Sequence, residues 1–424
     1  MYETNLKCLN CGKEYELRRI FEGCPHCKEK DFSSNLIVTY NYEMIKEKID
    51  KNTLEKRRGL GIWKYEEFLP IDSREIKITL GEGETSLLKC SDLGRELEIK
   101  NLFVKDESRN PTYSFKDRLV SVGAFVARHF GSKYLIAGGG NLAAGASAYS
   151  AKYNLETISF ENLDESKQAI LQTLSYGGKI VYLKKYEDRY ELMKKCVDIL
   201  KGHPVSSYTP SPTGDPYSQE GYKTIAYEIC EQLKWNVPDK VVVPTGQGFG
   251  LYGIWRGFVD LYEIGLIDSL PNMIAAETDA CGSLTKTFLD KNEKIKRVVP
   301  EKTVARRIAV PKVSYKAYRA VKDSNGKAVS ITDDEIMSAL LSFARREGIY
   351  SSTTSAVSLA ATYKLREEGS IEKDSTVVCV ITTGGLKDPD YIEKNFPDLP
   401  SPIHGDWDEF KKIMKTYYDL SIDI

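Results

Sequence analysis

Histidine is scarce in this chain, with four in 424 residues (His26, His129, His203 and His404). None stands in a pattern with serine or cysteine that would build a relayed nucleophile, so acyl-transfer chemistry of that kind is not expected. An excess of one charge is missing too: 60 lysines and arginines face 61 acidic residues, for a net charge of −1. That balance excludes the broad basic footprint of a nucleic-acid binder, and 41% hydrophobic content excludes a disordered chain. No run approaches the roughly 20 apolar residues of a membrane span. The opening MYETNLKCLN carries neither a signal-peptide core nor an Arg-rich presequence, and a cytoplasmic location is expected. A disulfide framework is also lacking, since Cys90, Cys196, Cys230, Cys281 and Cys379 are scattered singly and are expected to be reduced. The length allows two or three domains around a large core, and the partner expected is a small molecule.

The other four cysteines are organised. Cys8, Cys11, Cys24 and Cys27 form two CxxC knuckles twelve residues apart, a spacing that wraps one tetrahedral zinc. Four thiolates close the coordination sphere, so this ribbon is expected to stabilise rather than catalyse. His26 reads as a bystander. A nucleic-acid-binding ribbon is the other reading of this module, although Lys7, Lys13, Glu14, Glu16, Arg18, Arg19 and Glu22 mix the signs of charge.

Beyond a charged helical connector (residues 40–59), strand and helix signals alternate. Candidate strands are NLFVKDE, KYLIAGGG, LETISF, GKIVYL, KVVVPTG, MIAAETD and STVVCVITTG, each a short apolar or β-branched run closed by glycine or charge. Such alternation predicts an α/β protein with largely parallel sheets and a ligand outside the carboxyl ends of the strands. Three of those ends carry glycine-rich turns: AGGGNLAAG (137–145), PTGQGFGLYG (244–253) and TTGGLKDP (382–389). Glycine lets backbone amides approach an anion, and a helix beginning near Leu251 would aim its positive end at a phosphate.

The segment NPTYSFKDR (110–118) puts Lys116 in the first turn of a predicted helix whose apolar positions are Phe115, Leu119, Val122, Phe125 and Val126, with Thr112 or Ser114 as cap. A cation there opposes the helix dipole. Taken alone, the segment reads as a solvated lysine beside Asp117 and Arg118; taken with the three turns, it reads as a lysine held to form a Schiff base. A rival reading exists. Gly248, Gly250 and Gly253 spell GxGxxG after a strand, with Glu277 closing a later one, as in an NAD-binding α/β enzyme. That reading leaves Lys116, Asn141 and TTGGLKDP without a role, and a cofactor with one phosphate and one aldehyde suits the set better. A non-catalytic zinc-ribbon binding protein is the third reading, and it requires Lys116 to be idle.

LGEGETSLL (80–88), NLFVKDESRNPTYSFKDR (101–118), GGGN (138–141), VVVPTGQGFG (241–250) and ITTGGLKDP (381–389), with the cysteine ribbon, resemble the threonine synthase-like family of fold type II pyridoxal-phosphate enzymes. The resemblance implies a tryptophan synthase beta-like fold. It would comprise a zinc-ribbon module (1–35), a large cofactor domain (36–114 and 215–424) and a smaller mobile α/β domain (115–214). It also implies pyridoxal 5'-phosphate on Lys116, ring-hydroxyl contact from Asn141, a phosphate loop of Gly246, Gln247, Gly248, Phe249 and Gly250, and Thr382 facing the pyridine nitrogen. A structural zinc, an amino-acid substrate and a homodimer complete the expectation. A threonine hydroxyl cannot hold a pyridinium proton as a carboxylate would, which favours elimination or replacement over transamination.

Departures from the family pattern fall elsewhere. PTGDPYSQEGYKT (212–224) stands where relatives usually show NSxNPxRxxGxKT, so Pro212, Thr213 and Ser218 replace the asparagine, serine and arginine that help bind a substrate phosphate. Gly138 and Gly139 stand for hydroxyl residues, Ser351 and Ser352 for Glu and Pro, and Tyr113 for a glycine, adding bulk beside the lysine. All are expected on the substrate side. Losing a bidentate guanidinium removes a fixed charge. The main expectation is therefore a lyase or replacement enzyme acting on an amino acid other than phosphohomoserine. The alternative is a genuine threonine synthase in which Arg109, Arg306, Arg307 or Lys387 compensates.

Overall fold

The structure, a computed structural model, describes residues 2–70, 75, 77–290, 294–393, 396 and 398–422. They divide, between Asp388 and Pro389 of the chain, into two compact units. The second carries the helix Trp407–Tyr418, capped by the Asp406 carboxylate on the amides of Asp408 and Glu409.

The first unit holds thirteen strands: β1 (Glu3–Cys8), β2 (Glu14–Tyr15), β3 (Leu36–Tyr40), β4 (Leu87–Lys89), β5 (Asn101–Asp106), β6 (Tyr134–Gly138), β7 (Glu156–Glu161), β8 (Lys179–Tyr182), β9 (His203–Pro204), β10 (Lys240–Pro244), β11 (Asn272–Thr278), β12 (Lys327–Ile331) and β13 (Thr376–Ile381). β2-β1-β3 form the antiparallel ribbon that carries the knuckles. The main sheet has the order β12-β11-β10-β13-β5-β4, and a second has the order β8-β7-β6-β9. Every pair in the two larger sheets is parallel except β4 with β5. The fold is thus α/β with mostly parallel sheets.

All seven expected strands are present. β10 and β13 are central, and Val241, Val242, Val243 and Val377 to Ile381 are buried without alternation, the pattern of strands covered on both faces. β4, β9 and β12 went unanticipated. β12 lies at a sheet edge, and its KAVSI sequence has too few apolar residues to read as a core strand. The connector breaks into two short helices, Tyr42–Lys46 and Lys51–Lys56, because Asn41 and Asp50 each cap a new start.

The ribbon is tied to the second sheet's neighbourhood. Arg19 donates to Ser132 Oγ and to the carbonyls of Lys201 and Gly202. Asn35 Nδ2 donates to the carbonyls of Pro212 (3.2 Å) and Thr213 (2.6 Å), and Thr213 Oγ1 donates to Phe21 O.

Candidate active site

The three glycine-rich turns leave β6, β10 and β13 and converge on one cavity of about 430 Å3. Its lining includes Lys116, Asn141, the run from Gly246 to Gly250, and Thr382. Residues up to 266 positions apart in sequence (116 to 382) therefore meet in one place.

Lys116 opens the helix Lys116–His129. Phe115 N donates to Thr382 O at 2.9 Å, and Ser114 forms a bridge with Thr383, which stitches the lysine segment to the end of β13. Neither Thr112 nor Ser114 is the helix cap. Instead Asp117 reaches back to accept from Thr112 N (2.7 Å) and Oγ1 (2.6 Å), and burial lifts its carboxyl to about 7. Arg118 is fully buried between Glu107 and Glu228 at 2.6 Å each, with Lys105 also on Glu228. The reading of a solvated KDR face is overturned by this network.

Tyr113 corrects another expectation. Its side chain is 59% exposed and is not part of the cavity lining, so it adds no bulk beside the lysine. Its φ is +65°, which explains a preference for glycine at this position.

Lys116 Nζ lies 3.2 Å from Tyr222 Oη and 4.5 Å from the centre of the Phe115 ring. Among the described residues it has no carboxylate partner. Burial, aided by the charge of Arg307, lowers its pKa to about 8, so about a tenth of the amine is neutral at pH 7, far more than for a free lysine.

Asn141 begins the helix Asn141–Tyr153 after Gly140, whose φ of 69° and ψ of −138° are accessible essentially to glycine alone. Its Nδ2 donates to Thr383 Oγ1 at 3.3 Å, while its Oδ1 is buried with no partner among the described residues. Gly248 has φ +84°, a Cβ on it would collide with Ala317, and a Cβ on Gly250 would come 2.7 Å from the Phe115 ring. The helix Phe249–Glu263 starts on this loop, two residues before the expected Leu251, with its free amides at the cavity. The loop is fastened by Ser314, whose N and Oγ donate to Gln247 O. Thr382 Oγ1 is 3.1 Å from Ser355 Oγ.

The departures sort differently from expectation. Gly138 and Gly139 do line the cavity. Pro212, Thr213 and Ser218 do not: the first two dock the ribbon, and Ser218 is buried with its Oγ on Asp215, which also holds His203 Nε2 at 2.8 Å. Ser352 caps the helix Thr353–Glu367, and Ser351 bridges Gly384. Of the proposed compensating residues, Arg306 and Arg307 line the cavity, where both pair with Glu165 and Asp388. Arg109 is exposed on Asp106, and Lys387 is buried on Gln172. Sequence reading missed Tyr222, Ser355, Glu161 and Arg189. Tyr222 and Arg189 line the cavity, whereas Ser355 and Glu161 support it through Thr382 Oγ1 and Gly140 N; Glu161 ends β7 without a glycine-rich turn, the other three lie outside strand ends, and only the fold brings them together. Burial and the neighbouring Glu165 lift Glu161 to about 7.

Glu277, the acid of the dinucleotide reading, is spent on the amides of Leu284 and Thr285 at the start of the next helix and lies outside the cavity lining. In the ribbon, Cys8, Cys11, Cys24 and Cys27 bring four sulfurs within 4.8 Å of one another; His26 is exposed and takes no part.

The family described as "Pyridoxal-phosphate dependent enzyme" matches residues 78–383. Holo diaminopropionate ammonia lyase from Escherichia coli shares the fold, with a TM-score of 0.64 at 19% identity over 75% of this chain and 88% of that one. The matched family defines a pyridoxal-phosphate-dependent enzyme, and the shared fold is that of fold type II. Two threonine synthases are similar over nearly their whole length: that of Methanocaldococcus jannaschii at 36% identity over 96% of this chain and 99% of its own, and that of Methanosarcina acetivorans at 35% over 92% and 93%. The chain belongs to the threonine synthase family of pyridoxal-phosphate-dependent enzymes.

Proposed function

We propose that the protein is a threonine synthase, converting O-phosphohomoserine and water to threonine and phosphate. The observation that carries this reading is the 36% identity to a threonine synthase across 96% of the chain. The altered-substrate expectation rested on Ser218 in the place of an arginine. It loses its support when the 212–218 segment is seen to serve the ribbon and the core, and the alternative is preferred.

The residues present fit the cofactor: Asn141 Oδ1 lacks a donor among the described residues, and the 246–250 turn has no room for side chains at Gly248 and Gly250. Lys116 would hold the aldehyde carbon, the amides of Gly246 to Gly250 the phosphate, Asn141 the ring hydroxyl and Thr382 the ring nitrogen. When bound, pyridoxal phosphate draws electrons from the substrate's α-carbon and makes its hydrogen acidic. Lys116, with a pKa of about 8, takes that proton once its amine is released and can return it elsewhere on the carbon chain. Tyr222 Oη, 3.2 Å away, orients the amine. The walls of Phe115, Leu119, Leu142 and Ile308 limit water around it.

The cysteine cluster is read as a structural zinc site. Its Sγ–Sγ separations of 3.7 and 3.9 Å match the roughly 3.8 Å edge of a tetrahedron with Zn–S bonds near 2.3 Å. Residues 115–214 are proposed as the smaller mobile domain, and a cytoplasmic homodimer as the working form. Incubating the holoenzyme with O-phosphohomoserine tests the main reading: equimolar phosphate and threonine are expected. No phosphate release, together with spectral change on another amino acid, would restore the altered-substrate reading.

A further inference from the structure

Position 218, where the family's phosphate-binding arginine is expected, is a buried serine locked on Asp215. A Cβ on Gly123 would already come 2.8 Å from its Oγ, so that corner has no space for a guanidinium. Three guanidinium groups reach the cavity from elsewhere: Arg189, Arg306 and Arg307. The last two are balanced by Glu165 and Asp388. Arg189 has no carboxylate within ion-pair distance among the described residues.

What surrounds Arg189 is aromatic and hydroxylic. Its guanidinium carbon lies 4.2 Å from the Tyr186 ring centre and 4.7 Å from that of Tyr190, contacts that fix its plane and keep its charge. Nη1 donates to Tyr186 Oη and Nη2 to Tyr190 Oη, both at 3.2 Å, while Nε is buried with no acceptor among the described residues. Tyr186 Oη also accepts from Gly139 N at 3.4 Å, and Ser206 Oγ accepts from Gly138 N at 2.6 Å. Both hydroxyls are thus used as acceptors, and neither donates to a described protein atom. Their protons, with Arg189 Nε, form a set of donors without acceptors, which is the complement of an oxyanion.

Gly138 explains how these groups gather. A Cβ there would sit 3.2 Å from Arg189 Nη1, 3.3 Å from Ser206 Oγ and 3.3 Å from Tyr186 Oη. The glycine that replaces a family hydroxyl lets the guanidinium close on the turn before Asn141.

We propose that Arg189, with the hydroxyls of Tyr186 and Ser206, binds the phosphate of the substrate's phosphoester side chain. Three donor groups and a full positive charge suit a three-oxygen dianion better than a carboxylate. The naming of that ester rests on the threonine synthase reading; the anion site does not.

The test uses holoenzyme of wild type, Arg189→Gln, Arg189→Lys and Tyr186→Phe. Binding of inorganic phosphate and of acetate is measured by calorimetry, alongside kcat and KM for O-phosphohomoserine and the cofactor's absorbance. Arg189→Gln is expected to weaken phosphate binding and raise KM by about 10- to 100-fold with the absorbance intact, and Arg189→Lys to recover part of it. Tyr186→Phe, which keeps shape and charge, should cost about 3- to 10-fold and serves if Arg189→Gln does not fold. Phosphate binding and KM within about twofold of wild type in these variants would overturn the assignment. So would loss of acetate binding with phosphate binding kept. Arg189-dependent phosphate binding without turnover of O-phosphohomoserine would sink the synthase reading and leave the anion site standing.

Discussion

Lys116 owes its reactivity to its surroundings more than to the helix it opens. With two aromatic rings beside it, Arg307 nearby and no carboxylate partner, the charged amine is disfavoured, and its pKa falls from 10.5 to about 8. Only the neutral amine attacks an aldehyde. The rate at which apoprotein takes up pyridoxal phosphate should therefore rise with pH and reach half its plateau near pH 8, as followed by the visible chromophore. A midpoint near that of a free lysine would contradict the burial. Lys116→Ala should abolish borohydride-trapped cofactor and lower kcat by about a thousandfold or more. Tyr113 is the opposite case, a residue under backbone strain whose side chain is exposed and lies outside the cavity lining. The left-handed backbone costs a bulky residue about 1–2 kcal/mol, against about 0.5–1 kcal/mol for the chain entropy of glycine. Tyr113→Gly should raise the urea midpoint modestly, by about 0.5–1 kcal/mol in stability.

At the scale of elements, the lysine helix is positioned by a buried ion network rather than by a capping side chain. Arg118 on that helix holds Glu107 after β5 and Glu228 on the helix Lys223–Gln232, while Lys105 of β5 also reaches Glu228. Two cations meet two carboxylates out of water. Removing one cation leaves a buried charge uncompensated, and Arg118→Met should cost about 3–5 kcal/mol in urea unfolding. The KDR pattern hid this, since a charged triplet at a helix start looks the same in sequence whether it is solvated or sealed. The strands were easier to read. Uninterrupted apolar runs such as VVV at 241–243 mark central parallel strands by composition alone, whereas edge β12 lacks that mark because half its residues face outward.

For the molecule as a whole, the ribbon acts through its docking. Arg19, Asn35 and Phe21 tie it to Ser132 and to the 201–213 segment. Chelation of the proposed zinc, or Cys11→Ser, should therefore lower the melting temperature of the unit by several degrees. The cofactor's absorbance should persist, because no knuckle cysteine lines the cavity. An unchanged melting temperature after chelation, checked by scanning calorimetry, would show that the four thiols hold no structural ion.

Alternation of strand and helix, glycine at three strand ends, a lysine behind NPTYSF and paired CxxC knuckles are local properties, and they were sufficient to define the α/β class, the family and the core of the cavity. Which side chains share that cavity is a matter of distance between residues far apart in the chain, and no local pattern encodes it. Ser218 and Arg189 show the difference: the sequence places a serine at 218 where relatives carry an arginine, and only the packing of the 186–206 region against Gly138 brings the Arg189 guanidinium into the cavity. Folding decides which charges are sealed in pairs and which are left facing a ligand, because burial and pairing exist only once the chain is closed.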